Sequence, residues 1–574
     1  MHRLLVIFGL ALGVAACGSG GGAEALAPAN VTLAGQVTFD FVPVVAGRGL
    51  DYAATVARPA RGVTVELLQN GVAAASTATD AAGGYSFTVP ANTDVALRVR
   101  AEMLRVGAPS WDFRVVDNVS GDALYALAGA VFNTGAANLT RNLHAPSGWT
   151  GAAYGTARSA APFAILDTVY DAVELIISAA PATAFPPLVL HWSPQNVPVV
   201  GTAPGQIGTS RYLTSSGTSG PSSGIYLLGA ADQDTDEYDR HVVAHEFGHY
   251  LEHRFSRTDS IGGPHTLTDQ LDMRLAFGEA WGSAFAGMAT RQRLYVDAHG
   301  AGQARDFTFD LEQSPSRSNP NPGWFNEESL QSLLFDLYDN GRDIPPGSAA
   351  LDDLALGFAP IWAVLTGEQR TTSAVTSVFS FIHALKVARP ADQVLIDSLT
   401  TSQRIAVVTD AYGTGQANYG LPTRRTSVDV AADFHDVYDS VTVGSMLPSV
   451  CSLDDYTSAL TGAENKLASR RFVRFTVANP GPHTITVRAL PPLNAAADPD
   501  LRLYLGGGQV LESNGAPSAQ CAVGAPEECI ETFTPTLAAG EHVLELYEWT
   551  NTNRADDPDY PPIGRTCFDV TVTP

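Results

Sequence analysis

The stretch His245-Glu246-Phe247-Gly248-His249 limits the folds open to this chain more than any other. On an α-helix, positions four apart are separated by about 6 Å along the axis and about 40° around it. His245 and His249 therefore project side by side, at a spacing suited to two corners of a zinc tetrahedron. Glu246, about 100° further round, reaches toward the open position as a carboxylate base beside two neutral nitrogen ligands. Val242, Val243, Phe247 and Leu251 lie among them, as a buried helix requires. Asp234 and Glu237, three apart, resemble a capping arrangement that starts such a helix. Histidine recurs at 241, 245, 249 and 253, yet only His245 is followed by glutamate. His241 and His253 read as helix-end residues.

A third ligand decides the kind of site. A histidine six residues after the second, with glycine midway, would complete one common pattern; Phe255 and Glu252 occupy those places and exclude it. The other common solution is a glutamate on a following helix, and the apolar run Arg274–Phe285 supplies Glu279. A lone carboxylate in such a run is costly to bury unless it is paired or metal-bound. His265, in a Gly-Gly-Pro loop, is the competing ligand.

The run from His245 through Arg254-Phe255, then Gly262-Gly263, then Gly278-Glu279-Ala280-Trp281, resembles the gluzincin zinc metallopeptidases. It is similar in particular to the fungalysin group and more distantly to thermolysin. The downstream segment Asn326–Tyr338 resembles a fungalysin-type helix beside the site, and the match covers residues 240–340. The resemblance implies one catalytic Zn2+ held by His245, His249 and Glu279, Glu246 as the catalytic base, and endopeptidase activity. Two positions depart from the family. Ser283 stands where an aspartate usually supports a histidine ligand, and Asp269 and Asp272 are the candidates to replace it. No residue matches the family's oxyanion-stabilising histidine or tyrosine; Tyr338 and His265 are the candidates.

The N-terminal stretch leads to the expectation of an envelope protein. Residues 1–17 read as an export signal: His2-Arg3, an apolar Leu4–Ala16 stretch, and Val14-Ala15-Ala16-Cys17 at its end. That ending resembles a bacterial lipoprotein site, which implies acylation at Cys17 and residence at the outer membrane or cell surface. Residues 18–30, rich in Gly, Ala and Pro, read as a flexible tether. No later stretch reaches the ~18 apolar residues of a membrane span, so the lipid is the expected anchor. A net charge of −25 argues against nucleic acid and against anionic lipid surfaces as partners.

A length of 574 residues with 45% hydrophobic content suits several domains. Residues 31–105 read as short strands, with a turn at Gln69-Asn70-Gly71. Their Thr79-Asp80…Gly84-Tyr85-Ser86-Phe87 pattern resembles the carboxypeptidase regulatory-like β-sandwich. Residues 106–445 read as the metallopeptidase domain. Phe163–Ile177 is a core helix there, Leu188–Leu190 and Ile225–Leu228 are strands, and Gly201–Gly224 reads as a mobile loop and candidate lid. The acidic run Asp232–Asp239 raises calcium as a second ion, although carboxylates at a helix start account for it more simply. Leu330–Leu337 and Ser373–Val387 are amphipathic helices, and His299, His383 and His435 are single structural histidines.

Residues 446–574 return to strands and resemble the pre-peptidase C-terminal β-sandwich. Cys451, Cys521, Cys529 and Cys567 all fall here, an even number that implies disulfides in an exported domain. Three pairings are open; closeness in sequence favours Cys521–Cys529, leaving Cys451–Cys567. The expected fold is therefore multidomain α+β, a zincin-like core of mixed sheet and helical lobe flanked by two β-sandwiches. The expected partner is a peptide or protein substrate. The alternative function is a catalytically degenerate zincin in a surface-binding lipoprotein, a reading that Ser283 favours and Glu246 opposes.

Overall fold

A computed structural model describes residues 29–214, 222–312, 322–339, 354–416, 436–454, 456, 458, 460–490, 498–505, 509–512, 530–552 and 563–574. The export signal with Cys17, the tether as far as residue 28, Cys521, Cys529 and His435 lie outside the described residues.

Asn70 and Gly71 both adopt positive φ (52° and 78°), as a tight hairpin turn requires. They join Val63–Gln69 to Val72–Ala78. Val63, Val65 and Leu67 alternate into the core. The pairing continues from Val63–Gln69 to Asp94–Arg105 and on to Trp111–Asp117, both antiparallel. Leu188–Trp192 and Gly224–Leu227 then add in parallel, and Arg211–Leu213 closes the edge antiparallel. These strands belong to one ten-stranded mixed sheet. The residue 105/106 position, expected as a domain boundary, thus falls inside a continuous sheet. Asp94–Arg105 is long enough, at 12 residues, to pair with strands from both sides of that position.

A second sheet of five strands is built on Asn30–Phe41, which pairs with Gly84–Pro90 and Val56–Pro59 antiparallel and with Leu139–Thr140 and Leu143–Ala145 in parallel. The expected core helix is α1 (Ala161–Ala179), which buries Leu166, Val169, Val173 and Ile176. It supplies the crossover between the parallel strands Trp111–Asp117 and Leu188–Trp192. Arg61 ties the strand layer to it through Asp167 and Asp171.

Three further helices carry the candidate site: α2 (Arg240–Phe255), α3 (Met273–Thr290) and α4 (Glu327–Asp336). Among the described residues no helix is long and apolar enough to cross a membrane.

The described C-terminal strands form two main sheets, one centred on Arg470–Val477 and Gly540–Glu548, the other on Thr566–Thr573, beside a two-stranded pair of Gly481–Pro482 with Thr536–Leu537. Alternating residues such as Val473, Phe475, Val487, Leu503, Leu544 and Val570 fill a separate core between them, giving a β-sandwich. Cys451 and Cys567, directly opposite on neighbouring strands, form a disulfide. The sandwich is keyed to the rest of the protein by Arg274 at the start of α3. This buried guanidinium contacts Asp272, the Tyr504 hydroxyl (2.7 Å) and Glu545 (2.9 Å).

Candidate metal centre

Helix α2 is held by its apolar face. Val243, Phe247, Tyr250 and Leu251 are buried, with Phe247 edge-on to Phe113 of the ten-stranded sheet. The opposite side carries His245, Glu246 and His249. The expected capping role of Asp234 is not what the chain adopts: Asp234 and Thr235 form a short strand, and the helix begins only after Asp239. The run ends at Asp239, the N-cap of α2, whose side chain makes no capping hydrogen bond; the first turn contains no acidic residue, and Asp234 lies in a strand ahead of the helix.

Helix α3 starts at Asp272, whose carboxylate accepts the Arg274 N–H, and it ends at Arg291 in the left-handed conformation. It is rich in small residues, and that lets it lie against α2. A methyl on Gly248 would come within 3.2 Å of the Gly282 backbone, and one on Gly282 would press the His245 ring at 2.8 Å. Trp281 completes the contact by donating its indole N–H to the Gly248 carbonyl (3.0 Å).

This packing brings together all three residues expected as ligands. His245 Nε2 and His249 Nε2 are 3.0 Å apart, and each is 3.4 Å from Glu279 Oε2. Tetrahedral zinc ligands, about 2.0–2.1 Å from the ion, are about 3.3–3.4 Å from one another. The two nitrogens and one oxygen therefore fit three corners of a zinc site. The electrostatics favour a cation. Burial alone would push the Glu279 carboxyl up, but His249 and His265 hold it well below the usual carboxylate range. Burial alone would push His249 down; Glu279 outweighs it and takes the imidazole up to about 10. A metal ion would displace that proton.

The groups around this triad answer several open questions. Ser283 Oγ lies 3.2 Å from His245 Nδ1, so serine itself occupies the supporting position. Neither proposed replacement does so: Asp272 is engaged by Arg274, and Asp269 by Thr461 and Lys466. We expect Ser283→Ala to weaken zinc binding by about 10–100-fold, read by competition with a chelating dye.

Glu246 is buried and accepts the Tyr212 backbone N–H (2.6 Å) from the edge strand Arg211–Leu213. His253 pairs with the Tyr212 hydroxyl, while buried His241 faces the Gln292 carbonyl and Thr290. His241 lies in the first turn of α2, at the helix end as expected, and burial there pushes it down to about 4. His265 lies 3.6 Å from Glu279 and 3.5 Å from Glu327, outside the three-ligand group but at its rim. Burial would lower His265; Glu279 and Glu327 reverse the direction. Tyr338, the other oxyanion candidate, is half-buried beside Phe335.

Sequence reasoning placed α4 beside the site but missed Glu327, a carboxylate in its first turn. Tyr212 was also missed, because it contributes a backbone amide that carries no side-chain signature.

No protein-family model matches the chain, and no curated protein matches it. Among solved structures, the pre-peptidase C-terminal domain of a Bacillus anthracis collagenase is 11% identical, with 24% of this chain and 93% of that chain covered, at a TM-score of 0.14. PliG of Aeromonas hydrophila, a periplasmic inhibitor of g-type lysozyme, is 13% identical over 24% of this chain and 95% of its own, at a TM-score of 0.12. Likenesses at this level carry no functional argument.

Proposed function

We propose that the protein is a zinc-dependent endopeptidase of gluzincin type. The observation that supports this reading best is the convergence of His245, His249 and Glu279, with the carboxylate of Glu246 near enough to His249 to act on its charge. A binding protein has no need of a base beside its metal.

When bound, zinc supplies Lewis acidity, making water a nucleophile near neutral pH and polarising a peptide carbonyl. Glu246 takes the proton of the attacking water and returns it to the leaving amine. The Tyr212 amide holds one oxygen of that carboxylate, leaving the other for the proton. His265, steadied by Glu327, is the candidate donor to the developing oxyanion. Ser283 fixes the orientation of the His245 ring.

In this reading residues 446–574 are a pre-peptidase C-terminal-like sandwich, the strands of residues 31–105 belong to the sheets that support the metal centre, and Cys17 carries the lipid that anchors the protein to the envelope. The test is hydrolysis of an unfolded protein substrate by the purified protein. Activity abolished by a chelator and restored by zinc is the expected result. Full zinc loading without hydrolysis of any protein substrate would move the reading to the degenerate, surface-binding alternative.

A further inference from the structure

Two different parts of the protein hold the segment that joins α2 to α3. Between residues 257 and 270 the chain adopts neither helix nor strand, so its backbone groups need partners from elsewhere. The first part is tied to the helical lobe, where Arg257 donates to the carbonyls of Thr372 (2.7 Å) and Ala374 (2.5 Å). The second part carries His265 and is tied to the C-terminal sandwich, through residues 461–469 that lead into the strand Arg470–Val477.

Asn465 is fully buried and donates from its side-chain amide to the carbonyls of Gly262 (2.9 Å) and Pro264 (3.1 Å). The buried Lys466 ammonium donates to the Pro264 carbonyl (3.2 Å) and to Asn465 Oδ1 (2.5 Å), which fixes the direction of that amide. The Asn465 carbonyl accepts the Asp272 N–H (2.9 Å), and the Leu467 N–H donates to the Gln270 carbonyl (2.8 Å). Thr461 donates to Asp269 (2.8 Å), whose carboxylate in turn accepts the Thr266 N–H beside His265. Gly263 is required twice over, by its φ of 98° and because a methyl there would come within 2.3 Å of Glu464 Oε1.

The His265 ring lies 3.6 Å from Glu279 and 3.5 Å from Glu327, longer than an ordinary hydrogen bond. Its Nδ1 instead faces the Gly263 carbonyl (3.1 Å), between the two carbonyls that Asn465 holds. The direction of the ring is therefore set by the backbone that the sandwich grips.

We propose that Asn465, with residues 461–469 of the sandwich, positions His265 at the metal centre. The sandwich is then a working part of the site and not an appended module. The clamp stands on these contacts; its effect on turnover rests on the endopeptidase reading.

The test is Asn465→Asp in the purified protein. Shape is kept, but a carboxylate oxygen replaces the donor to both carbonyls, while Lys466 can still pair with the other oxygen. Hydrogen exchange read by mass spectrometry should show residues 262–272 exchanging about tenfold faster or more, with α2 as protected as in the parent. Zinc content should be unchanged. On a peptide substrate kcat should fall about tenfold or more at little-changed KM, short of the roughly 10²–10³ lost with an oxyanion donor itself. In His265→Ala, adding Asn465→Asp should cost nothing further in kcat, whereas a merely structural role would still show a loss. If Asn465→Asp fails to fold, the milder Thr461→Val carries the comparison. Parent-like exchange in 262–272, loss of zinc, or a further loss of kcat in the His265→Ala background overturns the proposal. A zinc-loaded parent that hydrolyses nothing removes the endopeptidase reading instead, and the exchange result alone then decides the clamp.

Discussion

Glu246→Gln is expected to hold about one zinc per chain and to lose peptide hydrolysis by at least about a hundredfold, the lower end of what a positioned base contributes. The substitution is nearly isosteric. The amide oxygen can still accept the Tyr212 N–H, so the helix and edge strand keep their relation. The three ligand atoms lie on other residues and should be undisturbed. What disappears is the ability to take a proton from water. Single-turnover hydrolysis, measured beside zinc content, separates this effect from metal loss. Parent-like turnover in the variant would remove Glu246 from the chemistry.

Glu545→Ala should cost about 3–5 kcal/mol, the range for breaking a buried ion pair by removing one partner. Arg274 and Glu545 are both essentially inaccessible to solvent. Burial alone would push the Glu545 carboxyl up, but Arg274 and Arg470 hold it well below the usual carboxylate range, so it is an ionised partner. Removing it leaves the Arg274 cation with Asp272 and the Tyr504 hydroxyl. Replacing Arg274 and Glu545 together with apolar residues should cost less than the sum of the two single losses, because neither then strands the other, although Asp272 and Arg470 still lose a partner. The check is urea unfolding of the two single variants and the double. Additive losses would show that the two residues are not coupled. Because Arg274 precedes Glu279 on the same helix, the single variant should also bind zinc more weakly.

These two variants mark the limits of what the sequence discloses. The His245/Glu246/His249 group was legible because it depends only on helical periodicity. Glu279 was legible because a carboxylate in an apolar helix calls for a partner. The turn at Asn70-Gly71 and the core face of α1 are equally local. Contacts set by chain topology were not legible. Arg274 finds Glu545 at a separation of 271 residues, and Ser283 finds His245 at 38. The strands within residues 31–105 and the strands at Leu188–Leu190 and Ile225–Leu228 were each readable, but their union in one sheet was not, because alternation identifies a strand without naming its neighbour. The acidic run misled for the same reason. Asp234 and Glu237 have the spacing of a cap, yet Asp234 is paired in a strand and faces Asp297 from beyond α3.

The most direct test of the central claim is the zinc content of the purified protein and of its Glu279→Ala variant, by mass spectrometry. The geometry of His245, His249 and Glu279 predicts about one zinc per chain in the parent and its loss in the variant. A parent without zinc after incubation with the metal would contradict the account, and zinc retained by the variant would point to His265 as the third ligand instead.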